Sequence, residues 1–153
     1  ADGRVLEVVP RALTEEEIRA RDRMLAAQQQ KEKLKQEQKI ADQNLLRIYS
    51  TPEDVIRARN TKITSIDNFI RTSQGNLQRL ESQKRNLEST LANIERAGGT
   101  IPEDPLNRIR HVEIRIRTTE REIIEKRTEM KALEKSFATD LQRLKQLYGA
   151  REG

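Results

Sequence analysis

Two stretches of the chain place apolar residues alternately three and four apart, and the rhythm holds for more than five heptads in each. The first stripe is Ile56, Arg59, Ile63, Ile66, Ile70, Ser73, Leu77, Leu80, Lys84, Leu87, Leu91, Ile94. The second is Ile109, Val112, Ile116, Thr119, Ile123, Lys126, Met130, Leu133, Phe137, Asp140, Leu144, Leu147. Between them stands Ala97-Gly98-Gly99-Thr100-Ile101-Pro102, where Gly-Gly suits a left-handed helix end and Pro102 prevents continuation. The pattern predicts an all-α protein built on a long antiparallel coiled-coil hairpin, with helices over about 52–97 and 105–148 and a turn at 98–104. Setting every a position opposite a d predicts layers of Ile94 with Ile109, Leu87 with Ile116, Leu80 with Ile123 and Ile66 with Phe137.

The start of the hairpin, taken as residues 51–149, is marked strongly. Thr51 offers a cap, Pro52 suits the first helical position, and Glu53-Asp54 put negative charge where the helix dipole favours it. Upstream, a polar helix is predicted over about 14–50, opened by the Thr14 to Glu17 capping box. From Gln28 to Lys39 its only large apolar residue is Leu34, so good propensity and Glu/Lys pairs have to sustain it. Residues 1–13 read as a short extended arm around Val5, Leu6, Val8, Val9 and Pro10, and residues 150–153 as a tail.

Composition narrows the function classes. Of 153 residues 34% are hydrophobic, 3% aromatic and 36% charged, which suits helices joined along thin seams and leaves no thick core for an enzyme pocket. The 30 basic residues are interleaved with 25 acidic ones, so the net charge of +5 does not by itself make a nucleic-acid patch. With no cysteine, disulfides, thiolate metal sites and cysteine nucleophiles are excluded. His111 is the single histidine, set among arginines and read as a solvated helix residue. Gly98-Gly99 follows a helix and lacks the lysine of a phosphate loop. No catalytic residue, cofactor or metal is therefore expected. There is no run of about 18 apolar residues to span a bilayer. A start at Ala1-Asp2-Gly3 reads as a processed or truncated product.

Polar residues at seam positions (Arg59, Ser73, Lys84, Thr119, Lys126, Asp140) weaken a coiled coil and often set its register, and Arg59 and Asp140 are expected to relieve each other. In the antiparallel register Glu88 would face Glu120 and Glu95 would face Glu113, with Glu81 and Arg127 the one attractive pair. A parallel pairing of two copies of the last helix would instead join Arg108 to Glu113, Arg115 to Glu120 and Glu122 to Arg127, which makes a homo-oligomer, a dimer in the first instance, an expectation. Tyr49, Phe69, Ile101, Ile114 and Ile124 fall outside the seam and are the candidate partner or oligomer contacts.

The run Leu46-Arg47-Ile48-Tyr49-Ser50-Thr51-Pro52-Glu53-Asp54-Val55, continuing Arg57-Ala58-Arg59-Asn60-Thr61-Lys62, resembles a junction in uncharacterised coiled-coil proteins of the Gram-negative cell envelope. The loop from Arg96 to Pro102 and the opening Gly3-Arg4-Val5-Leu6, followed by Leu13-Thr14-Glu15-Glu16-Glu17, also look like that family. In those proteins a secretion signal and a small β-rich N-terminal domain of unknown function precede the helices, and residues 1–10 would be a remnant of that domain. The resemblance implies a periplasmic or envelope location and brings no catalytic residues. The expected function is a non-enzymatic coiled-coil scaffold or adaptor of the envelope, acting by self-association or by binding another envelope protein. Two alternatives stand beside it: a periplasmic chaperone-like client-binding protein, and a coiled coil associated electrostatically with nucleic acid through Arg108, Arg110, Arg115, Arg117 and Arg121.

Overall fold

The computed structural model describes Gly3 and residues 11–152. The apolar part of the N-terminal arm, with Val5, Leu6, Val8 and Val9, lies outside the described residues. The chain is all-helical among those described, with α1 at Glu15–Ile48, α2 at Pro52–Arg96 and α3 at Glu103–Glu152. It divides into two units, one containing α1 and the other running from Ile48 through the hairpin.

α1 opens as its sequence dictates. The Glu17 amide donates to Thr14 Oγ1 at 3.2 Å while the Thr14 amide donates to Glu17 Oε2 at 3.3 Å, so two otherwise orphaned donors are satisfied reciprocally. Arg11 adds an ion pair to Glu17. Along its 34 residues no side chain is buried, and the helix rests on propensity and local pairs such as Arg19 with Glu15 and Gln38 with Asp42. It ends at Ile48, two residues before the boundary expected from sequence, because the chain must turn extended to present Thr51 as the next cap.

In the second unit α2 and α3 pack closely as an antiparallel hairpin. Thr51 is the N-cap in extended conformation, and it forms a capping box with an aspartate: Asp54 N–H donates to Thr51 Oγ1 at 3.3 Å and Thr51 N–H donates to Asp54 Oδ2 at 3.0 Å. That backbone hydrogen bond from Thr51, with help from the Arg57 guanidinium at 2.6 Å, holds the Asp54 carboxyl below the usual carboxylate range. At the far end the chain leaves α2 by a Schellman turn. Gly98 N–H donates to Glu95 O at 3.0 Å, Gly99 N–H donates to Ile94 O at 3.1 Å, and Gly98 takes φ +72°, open to glycine but strained for any L side chain.

α3 begins at Glu103, not at Pro105 as the proline suggested. Pro105 sits inside the first turn, where its missing N–H has no carbonyl to serve, so it does not delay the helix. The helix also runs through Gly149 to Glu152, so the expected stop near Tyr148 and the separate tail at 150–153 are corrected. A single helical glycine costs about 1 kcal/mol relative to alanine, which a long packed helix absorbs, and Gly149 does not adopt the left-handed conformation that would end it. At about 1.5 Å per residue the 45 residues of α2 and 50 of α3 make helices roughly 70 Å long.

The seam is thin. Val55, Ile66, Ile70, Leu80 and Leu91 of α2 and Val112, Ile123 and Leu144 of α3 are its buried apolar residues, with Ser73 the one buried polar side chain among those described. The pairing differs from the register inferred from sequence. Ile123 clusters with Ile66 and Ile70 and is flanked by Leu77, while its expected partner Leu80 lines the next hollow with Arg115 and Thr119. Met130 and Leu133, in place of Phe137, pack against the cluster that holds Ile66. Lys84 reaches Glu113 at 3.6 Å. The helices are thus slid by roughly one to two turns from the expected layers. The slide keeps the start of α3 level with the end of α2: α2 ends at Arg96 and α3 starts at Glu103, and an Ile94–Ile109 layer would leave the first turn of α3, roughly 6 Å, standing beyond it.

Candidate interaction surface

The eighteen apolar stripe residues are all buried or half-buried, the deepest of them Leu144 at 0% exposure and Val112 at 4%. One buried residue escaped the periodic pattern. Val55, 1% exposed, lies just before Ile56 and off the a/d track. It sits at the open end of the hairpin, where Tyr148 donates its hydroxyl hydrogen to the Ser50 carbonyl and draws the incoming chain against α3. Only the Thr51 cap could have pointed to it, since the chain entering a capped helix frequently folds over that helix's first turn.

The slide of the helices changes the electrostatics expected of the seam. Glu113, expected against Glu95, is served by Lys84, whose ammonium stands 3.8 Å from Glu88 and 3.6 Å from Glu113. The expected repulsion is replaced by an attractive node, modest because these side chains are a third or more exposed. Arg59 does not come within ion-pair distance of Asp140; its guanidinium donates to Asn60 Oδ1 at 3.2 and 3.3 Å. Lys126 reaches out of the seam to Glu129 at 3.1 Å and stands 5.2 Å from the centre of the Phe69 ring, a cation–π contact.

The five apolar residues outside the seam do not form one surface. Tyr49 is half-buried at the open end of the hairpin; burial first, and the Asp140 carboxylate second, push its phenol pKa up. Ile101 is half-buried in the turn. Phe69 is exposed but occupied on one face by Lys126. Ile114 and Ile124 are exposed on α3, at 53% and 63%, and Ile124 also borders a hollow beside Gln74 and Leu77. The five arginines grouped from sequence also separate. Arg108 pairs with Asp104 at 3.2 Å and Arg115 lines a seam hollow with Arg79, which leaves Arg110, Arg117 and Arg121 together on the outward side of α3.

Two hollows cross the seam. One of about 380 Å³ is walled by Asn76, Arg79, Leu80, Gln83, Arg115 and Thr119; another of about 280 Å³ is walled by Gln74, Leu77, Glu120, Ile123, Ile124 and Arg127. Both lie at or below the lower end of small-molecule sites. His111 is exposed on α3. Among the described residues no group of three or more His, Asp or Glu side chains is placed to hold a metal ion, and no helix is long and apolar enough to cross a membrane. The geometry offers long faces for association. The chain matches no protein family, no curated protein and no solved structure.

Proposed function

We propose that this chain is a non-enzymatic coiled-coil scaffold or adaptor of the bacterial cell envelope, acting by self-association or by binding another envelope protein. The observation that carries the reading is a seam satisfied within one chain: every stripe residue is covered, so association must use faces outside it, where Phe69 of α2 and Leu34 of α1 stand 40% and 54% exposed. The likeness of Leu46 to Lys62 to envelope coiled-coil proteins supports the location. A photo-crosslinking residue placed at Phe69, and separately at Leu34, tests it in native cells. Crosslinks to a different protein support an adaptor, and crosslinks to copies of the chain support an assembly. If neither position captures any protein, the scaffold reading fails.

A further inference from the structure

The outward side of α3 carries a second heptad stripe, and its chemistry is not that of the seam. Arg110, Ile114, Arg117, Arg121, Ile124, Thr128, Lys131 and Lys135 follow one another at alternate spacings of four and three and so share one face of the helix. All of them are exposed. The seven carboxylates of α3 between Asn107 and Gly149 all fall off this track. Among the described residues none of its five cations stands within ion-pair distance of a carboxylate, although elsewhere Arg57, Arg71, Lys84, Arg108 and Lys126 all do. Between Asn107 and Gly149 this line is free of acids, with Glu103 and Glu152 on its continuation at the two helix ends, and two isoleucines stand among its arginines.

We propose that this stripe docks the hairpin lengthwise on an anionic phospholipid surface. From Arg110 to Lys135 the stripe is roughly 37 Å long. A heptad stripe winds about its helix by only about 20° per heptad, so neighbouring cations along it can approach lipid phosphates together, each that does so contributing about fivefold in partitioning. A nucleic-acid duplex gives no return on Ile114 and Ile124, which in a bilayer bury their ends at the headgroup boundary. The stripe also carries no aromatic residue on which a base could stack. The docking goes beyond the scaffold reading: it supplies a support for the hairpin, through a helix other than those that carry Phe69 and Leu34.

Co-sedimentation with large unilamellar vesicles tests it, using phosphatidylcholine alone and phosphatidylcholine with 30% phosphatidylglycerol, in 50 mM and 500 mM salt. The full chain is expected on the anionic vesicles at low salt only. Arg117→Glu with Arg121→Glu should weaken partitioning by ~25-fold or more. Ile114→Ser with Ile124→Ser should weaken it several-fold at unchanged salt dependence. Lys33→Glu with Lys35→Glu on α1, which makes the same change in net charge, should stay within about twofold of the parent. Circular dichroism confirms that each variant is helical. The proposal is overturned if the parent ignores anionic vesicles at low salt, if the α1 control loses as much as the stripe variant, or if the serine variant binds as the parent does. Tighter binding to a 20-base-pair duplex than to the vesicles at equal salt would overturn it too, in favour of nucleic acid. None of these outcomes bears on the Phe69 and Leu34 crosslinks, so the two readings fail separately.

Discussion

α1 and α2 carry the same share of large apolar side chains, 8 of 34 residues and 11 of 45, and both are continuous helices opened by threonine capping boxes, yet α1 has no buried residue and α2 has six. The difference lies in apolar spacing. In α2 an apolar side chain returns to one face every three or four residues, so a partner helix can cover it; between Gln28 and Lys39 of α1 only Leu34 is large and apolar. Helix formation and helix stabilisation are therefore separable in this chain. Propensity, caps and ion pairs at spacings of three and four write both helices, but such pairs contribute only ~0.2–0.5 kcal/mol each, and a helix within a protein gains most of its stability from a packed face.

The comparison breaks most visibly at Leu144, the most deeply buried side chain. Leu144→Ala should destabilise the hairpin by about 2–5 kcal/mol, read as a lower midpoint in urea. Gly98→Ala should follow at about 1–2 kcal/mol, since no atom stands within 4 Å of an added Cβ and the whole penalty is the left-handed backbone. A fall of roughly 5–10 °C in Tm is expected; an unchanged Tm would mean that the turn relaxes at no cost. Next comes Thr51→Ala, at about 1 kcal/mol, with a pH signature. The Asp54 carboxyl is held below its ordinary pKa in the folded chain. The capping stabilisation is then fully present above the unfolded-chain value of about 3.9 and is lost as pH falls through the lower folded value. The parent should accordingly lose stability on acidification more steeply than Asp54→Asn, which has no proton to gain. The smallest effect belongs to Leu34→Ala, within about 0.5 kcal/mol. A loss as large as that at Leu144 would remove the contrast between α1 and the hairpin altogether. Amide exchange sharpens it: protection at the α2 and α3 seam should approach the global unfolding free energy, while α1 exchanges by local opening.

Much of this was legible in the residues, and the exceptions have physical causes. Thr51-Pro52 and Gly98-Gly99 mark the ends of α2 because caps are local chemistry. The seam was legible because a heptad stripe has one geometrical solution on a helix. The bounds expected for the last helix, 105–148, were too narrow at both ends: glycine, here Gly149, ends a helix only where the backbone turns left-handed, and proline, here Pro105, interrupts one only where its N–H was needed. Val55 was missed because it lies off the a/d track, at the hairpin end where Tyr148 hydrogen-bonds the Ser50 carbonyl from 98 residues away along the chain.

The candidate contacts were legible as apolar residues off the seam, but not as a surface. Lys126 covers part of Phe69 and the hairpin end half-covers Tyr49, so only Ile114 and Ile124 are left on the outward stripe with Arg110, Arg117 and Arg121. What the sequence determined by itself was the number of helices, their caps and the residues that face the seam, because each depends on spacings of three and four along one segment. What only the tertiary structure decided was the register. A heptad pattern is nearly unchanged when one helix slides by seven residues, so the stripes alone do not choose between layers; the six residues from Ala97 to Pro102 do, by fixing how soon the two helices must meet.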